Sequence, residues 1–530
     1  MPQPLGNETH RSPAEHLCEG LIEAGWLVAL IVIPLHFNVY SNTSFEPDKA
    51  VMLRSLALLM LGAWAVKLLL GGWTRPSGGV HSLVKQPLVL ATFATVASFT
   101  ASTIFSLAPR LSWLGSYDRQ QGALTAFCTF ALFFLILGHF RTQAQWRRMA
   151  SAISLTSLPI AVYAIAQRWG VDPVAQQLGL DASAHWSGAG ARSSSTLGNP
   201  IFLGAYLILA IFVSLERLLG GWRHPLPGVS RQASRSAGAP DSKASGLSDR
   251  LLGGFGRQVG ITARLRIGLF GALVALQLVA LVATQSRGPM LALLAGLFFF
   301  SLLGAPLVRR RASSIAGART QEPVQQTTAR MPGPVWWAWI LPLLVGSICV
   351  LYLSSAVFLD THLLGAGQIA SIGRPGTTLD FGGGTTQARL LLWQGIWELL
   401  SSRGHAAAAS GGPPGSSRWR LFLGSGPETL RLVFGRFYPP RLARFEDWRT
   451  VPDRAHNQTF GVLVDRGVLG LAAYLALYIS IFYGSLRWLG LLRPRKDRNL
   501  FALLLAAGSA VGLVAPHLLT GSWSLAGVGL

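Results

Sequence analysis

Long apolar runs constrain this chain more than any other feature. Blocks of about 18–25 residues, enough to cross the hydrocarbon core of a bilayer, recur along it. In lipid, backbone polar groups must be satisfied within the segment, so helices are the default. Half of the residues are hydrophobic and only 13% are charged, with a mean hydropathy of +0.42. That charged share is about half the usual one for a soluble domain. An ordinary soluble enzyme, a disordered chain and a coiled coil are all disfavoured. The expected fold class is an all-α polytopic integral membrane protein.

Eleven apolar segments are expected to be helical: 22–40, 50–66, 88–107, 123–138, 150–167, 200–216, 267–284, 289–307, 335–357, 461–486 and 500–519. With a cytoplasmic N-terminus, the basic stretches RTQAQWRRM (141–149), RRR (309–311) and RPRKDR (493–498) all fall inside, as retention of positive charge requires. The same rule accounts for the net charge of +23 without nucleic acid. The first twenty residues are polar and show no cleavable signal peptide, so the first apolar segment is expected to stay. Cys18, Cys128 and Cys349 are too widely spaced for a metal motif, and their odd number gives no disulfide framework.

Three regions result: a transmembrane bundle over 1–359, an outer loop over 360–460 between helices nine and ten, and C-terminal transmembrane helices over 461–530. Residues 223–258, rich in Ser, Gly, Ala and Arg, are expected to form a disordered cytoplasmic loop. Residues 403–418 read as a linker. Within the outer loop, TTQARLLLWQGIWELL (385–400) sets Leu390, Trp393, Trp397 and Leu400 at helical spacing. RFYPPRLARFEDWR (436–449) interleaves aromatic and basic residues. His36 is expected inside the first helix and His517 inside the eleventh; Trp336, Trp337 and Trp339 suit an aromatic belt.

There is no Walker loop, HExxH or G-x-S-x-G, and no metal site or cofactor is expected. Arginine and histidine at the outer face stand out instead. Arg287 lies in the tight turn TQSRGP, Arg389 near the start of the loop helix, and His456 where the chain re-enters the membrane, followed by Asn457. Arginine forks bind phosphate bidentately, and histidine can take a proton from a hydroxyl near neutral pH. Such a set suits a lipid diphosphate donor. The duller readings are interfacial snorkelling for Arg287, a solvated charge for Arg389 and a structural histidine. Asp118, Arg119, Gln120 and Gln121 form a further polar cluster, able to touch the donor or to pair with the outer loop. Arg436, Arg441, Arg444 and Arg449 suit anionic headgroups or glycan.

The segments FEPDKAVMLRSLALL (45–59), GSYDRQQG (115–122), STLGNPIFLGAYL (195–207), TQSRGPMLALLAG (284–296), ARLLLWQGIW (388–397), LGSGPETL (423–430) and HNQTFGVLVDRGVLGLAAYL (456–475), in this order, resemble the O-antigen ligase and polymerase superfamily of bacterial membrane glycosyltransferases. The resemblance covers roughly residues 20–520. It implies about eleven membrane helices, twelve in the full family, with a large extracytoplasmic loop, and a cytoplasmic (inner) membrane location. It implies an undecaprenyl-diphosphate-linked glycan donor and an acceptor hydroxyl on lipid A–core, a growing polysaccharide or protein. By the same resemblance, Arg287 and Arg389 contact the diphosphate and His456 is the general base or orients the acceptor. Asn457, Gly424, Gly426 and Arg119 line the substrate. The reaction would invert the anomeric carbon without a metal or cofactor. The chain reaches only Leu530 after helix eleven, so the C-terminus is expected outside or the chain incomplete. A polymerase, a transporter of a small anion or lipid-linked precursor, and a non-catalytic envelope scaffold remain open as alternatives.

Overall fold

The computed structural model describes residues 12–38, 40–41, 45–70, 85–172, 192–220, 265–286, 288–300, 384–405, 418–445, 451–492 and 496–520. Among these, every regular element is helical. They are α1 (Pro13–Leu35), α2 (Glu46–Leu69), α3 (Pro87–Ile104), α4 (Pro109–Leu114), α5 (Ala123–His139), α6 (Gln143–Arg168) and α7 (Pro200–Gly220). There follow α8 (Leu265–Ala283), α9 (Gly288–Phe300), α10 (Gly384–His405), α11 (Trp419–Leu423), α12 (Leu430–Phe434), α13 (Gln458–Trp488) and α14 (Lys496–Thr520).

Seven of these helices are long and apolar enough to cross a membrane: α1, α2, α3, α6, α7, α8 and α13. Their outer faces expose large apolar side chains such as Leu58, Leu59 and Leu209, as contact with lipid requires. Helices coincide with the expected apolar segments except 335–357, which lies outside the described residues, as do Trp336, Trp337 and Trp339. The insert expected over 223–258 is likewise outside them.

Several boundaries differ from expectation, among them the start of α6, at Gln143 rather than 150 because Thr142 caps it there. The first helix runs from Pro13 to Leu35 rather than over 22–40. Pro13 can start it without losing a needed N–H, and Pro34 cannot continue it for long. His36 therefore sits just past the helix rather than inside it. Of the linker expected over 403–418, residues 403–405 belong to α10, which buries Arg403 fully, and 406–417 lie outside the described residues.

The chain divides into two compact units, each gathered from segments distant in sequence. The first comprises Met1–Ala29, Asn38–His139 and Leu379–Leu530; the second, Leu30–Phe37 and Phe140–Thr378.

In the first unit α13 packs chiefly on α3, and α2 on α5. Lys67 of α2 ties α1 to α5, bonding Glu19 at 2.7 Å and lying 3.4 Å from His139. The loop helices α10 and α12 close over a second apolar core. Leu392, Ile396, Leu399, Leu430, Phe434, Leu442, Phe460 and Val464 fill it, with Leu107 beside them.

In the second unit Ile160, Leu203, Leu207, Ile211 and Leu281 form the core between α6, α7 and α8. The capping box of Thr142 and Gln145 starts α6. A polar seam crosses the unit: Gln277 donates to Ser157 (2.6 Å) and Ser214 (3.0 Å), and Ser214 to Ser154 (3.1 Å). Small hydroxyl residues let helices approach and hydrogen-bond across an apolar medium.

Candidate functional site

The richest convergence of polar groups in the first unit surrounds the N-terminal end of α13. Asn457 caps this helix, its side-chain oxygen accepting from the N–H groups of Thr459 (2.9 Å) and Phe460 (3.3 Å). Asn457→Ala is therefore expected to cost about 1 kcal/mol of stability. A lowered melting temperature of the purified protein would show it.

His456 immediately precedes the cap. It is exposed and holds a left-handed backbone, φ 47°. That conformation is uncommon outside glycine, although histidine is enriched in it. The segment leading to it is fixed from three directions. Arg119 reaches Asp453 at 2.9 Å, Arg454 reaches Glu46 at 3.0 Å, and the Trp393 indole donates to the Ala455 carbonyl at 2.7 Å. Arg389 is exposed on α10, one turn before Trp393 and so on the same side of that helix. Trp393 thus links the helix carrying Arg389 to the residue preceding His456.

The helical stripe foreseen for α10 is corrected by its packing. Its buried residues are Ala388, Leu392, Gly395, Ile396, Leu399, Leu400 and Arg403; of the expected face Leu400 is buried and Trp393 packs against the core, whereas Trp397 is exposed and Leu390 only half-buried. At Gly395 the Phe437 carbonyl and the Phe434 ring leave no room for a side chain. The Trp393 N–H is meanwhile turned to a backbone acceptor.

Arg119 meets three carboxylates: Asp453, Glu428 at 3.4 Å and Glu46 at 3.8 Å. Of the two roles open to it, pairing with the loop is the one seen. Glu428 also accepts from the Ser116 N–H at 3.1 Å. Arg54 of α2, within the FEPDKAVMLRSLALL segment, holds the neighbouring turn. It donates to Thr125 (2.8 Å), to the Gln120 side chain (2.9 Å) and to the carbonyls of Leu114 and Gln120 (2.9 and 2.6 Å).

Further along α13, the turn Gly424–Glu428 locks into a break in the helix. Gly467 has φ 66° and ψ −166°, which interrupts the helix. The carbonyls of Val464 and Asp465 accept from Ser425 (2.8 Å) and Gly426 (2.9 Å). Ser102 of α3 also donates to the Asp465 carbonyl. Gly424 and Gly426 are both buried with positive φ. A Cβ on Gly424 would collide with the Asp465 backbone, and one on Gly426 with the Ser106 and Ser112 hydroxyls. Both glycines are turned against protein.

Arg403 runs through the same junction, donating to Ser425 Oγ and to the Val464 carbonyl at 3.4 Å. Burial, and then the nearby Arg420 guanidinium, push it down to about 10, with Asp465 acting against them. It remains charged at neutral pH. Arg420 bonds the Phe105 carbonyl at 3.2 Å, tying α11 to the end of α3. Arg466 lies with its guanidinium 4.2 Å from the Phe99 ring centre. The buried Arg403 and Arg466 escaped the sequence reading, because nothing in linear spacing marks an arginine for burial.

In the second unit, the residues just before STLGNP meet the end of α8 and the turn that follows it. Arg192 donates to Ser286 Oγ (2.7 Å) and to the Thr284 carbonyl (3.3 Å), and the Ser193 N–H to the Ala283 carbonyl (3.2 Å). Gly204 lets Pro289 pack directly on α7. Gln167 accepts from the Ser195 N–H at 2.7 Å and donates to Asp172 at 3.2 Å. Arg287 itself lies outside the described residues. Among the described residues, no three His, Cys, Asp or Glu side chains come together as metal ligands.

Comparison with models of protein families finds no match. Neither a curated protein nor a solved structure matches the chain.

Proposed function

We propose that this chain is a multi-pass glycosyltransferase of the O-antigen ligase type. It would cross the bacterial cytoplasmic membrane about eleven times, with its N-terminus inside. The substrate would be a glycan on undecaprenyl diphosphate, and the acceptor a hydroxyl of lipid A–core or another envelope molecule. His456 carries the reading. It is an exposed imidazole on left-handed backbone, with its preceding segment fixed by Trp393, Arg119 and Arg454. Strained backbone at an exposed polar residue is a mark of functional sites.

In the proposed reaction, the acceptor oxygen attacks the anomeric carbon as the bond to the diphosphate breaks. His456 takes the acceptor's proton. Arg389 binds the departing diphosphate, whose growing charge a guanidinium fork meets bidentately. The positive end of the α13 dipole, next to His456, favours the same charge. Arg287 carries the same assignment from its sequence motif alone.

Mass spectrometry of lipid-linked glycans in a strain lacking the protein tests this. Accumulated long glycans on undecaprenyl diphosphate are expected, and single repeat units would indicate a polymerase instead. An unchanged lipid pool would sink the glycosyltransferase reading and favour a transporter. In the complemented strain, Arg389→Lys should leave most of the accumulated donor in place, because an ammonium cannot reproduce the fork. Full clearance by that variant would count against diphosphate binding.

A further inference from the structure

The segment Thr429–Phe445 packs by one side only. Leu430, Val433, Phe434 and Leu442 enter the core formed with α10, and that core includes Leu107 and Phe460. Leu107 lies just past the end of α3, and Phe460 in the first turn of α13, both of them apolar helices long enough to span a membrane. The segment therefore packs against the ends of two helices long enough to span a membrane.

Its other side presents Arg431, Leu432, Arg436, Arg441, Arg444 and Phe445, all exposed. Leu432 is 55% exposed and Phe445 40%. The segment contains no acidic residue, and none of the four arginines meets a carboxylate among the described residues. Elsewhere in the same unit Arg54, Arg119 and Arg403 each reach a protein acceptor. Among the described residues the four thus form a basic face that meets no carboxylate, with two large apolar side chains among them.

We propose that this face docks on the anionic phospholipid headgroups of the protein's own membrane. Leu432 and Phe445 enter the headgroup boundary, and the arginines snorkel to the phosphates. This would hold the outer segment against the bilayer. The inference is independent of the reaction proposed above.

The test uses the full-length protein in lipid nanodiscs, with Leu432→Cys carrying an environment-sensitive dye. The unsubstituted chain, labelled in the same way, gives the background from native cysteines. Discs of phosphatidylcholine alone are compared with discs containing one third phosphatidylglycerol, both with spin-labelled lipid as quencher. At least twofold stronger quenching is expected in the anionic discs. Arg431→Gln, Arg436→Gln, Arg441→Gln and Arg444→Gln together should remove that difference. Equal quenching of the otherwise unaltered protein in the two bilayers would overturn the proposal, whatever the variant does. So would a difference that persists in a folded variant.

Discussion

His456→Ala is expected to reduce glycan transfer by about 10²–10⁴-fold, the usual contribution of a positioned general base. Donor binding and yield should stay close to those of the unaltered protein. The side chain is exposed, so its loss leaves no cavity. Asn457, the residue that starts α13, is untouched. A confounding effect lies in the backbone, since alanine tolerates φ 47° less well than histidine does. His456→Asn separates the two, because asparagine accepts the left-handed conformation but offers no imidazole. If the base assignment is right, both variants are inactive and both remain folded. An active asparagine variant beside an inactive alanine variant would assign the effect to the backbone and remove the base.

Gly467→Ala is expected to break the junction between the loop helices and α13. The native φ 66° and ψ −166° lie in a region reserved for glycine, at about 1–3 kcal/mol for another residue. The added Cβ would also fall on the Phe422 carbonyl, deep inside van der Waals contact. Neither partner can yield, because both are main chain and the Gly424 turn is bonded across the same gap. The variant should melt far below the unaltered protein, or fail to accumulate. Gly461→Ala, six residues earlier on the same helix, supplies the contrast. A Cβ there meets nothing within 4 Å. The change to a better helix former should leave stability unchanged or raise it by up to about 1 kcal/mol. Equal melting of the two variants would show that the break at Gly467 does not bear on stability.

Much of the fold was legible because lipid permits few solutions. Long apolar runs must be helical, so their positions in sequence give helix positions directly. The boundaries that moved did so for local reasons, Pro13 and Pro34 for α1 and the burial of Arg403 for α10. The candidate residues were legible only as chemistry. Asn457 and Arg119 were chosen as substrate contacts. The structure shows one as a helix cap and the other bound by three carboxylates. A cap can be suspected from spacing, but a three-way ion pair between distant segments cannot.

The sequence by itself determined an all-helical chain with several membrane-length helices. It also marked His456, Arg389 and the Gly424–Gly426 turn as candidates by their chemistry. Only the tertiary structure decided which groups these residues meet. Periodicity reports which side chains are apolar, whereas contacts such as Trp393 with Ala455 or Ser425 with Val464 join segments tens of residues apart. A break at one glycine of α13 exposes the carbonyls that the loop then binds, and no local pattern in sequence records that pairing.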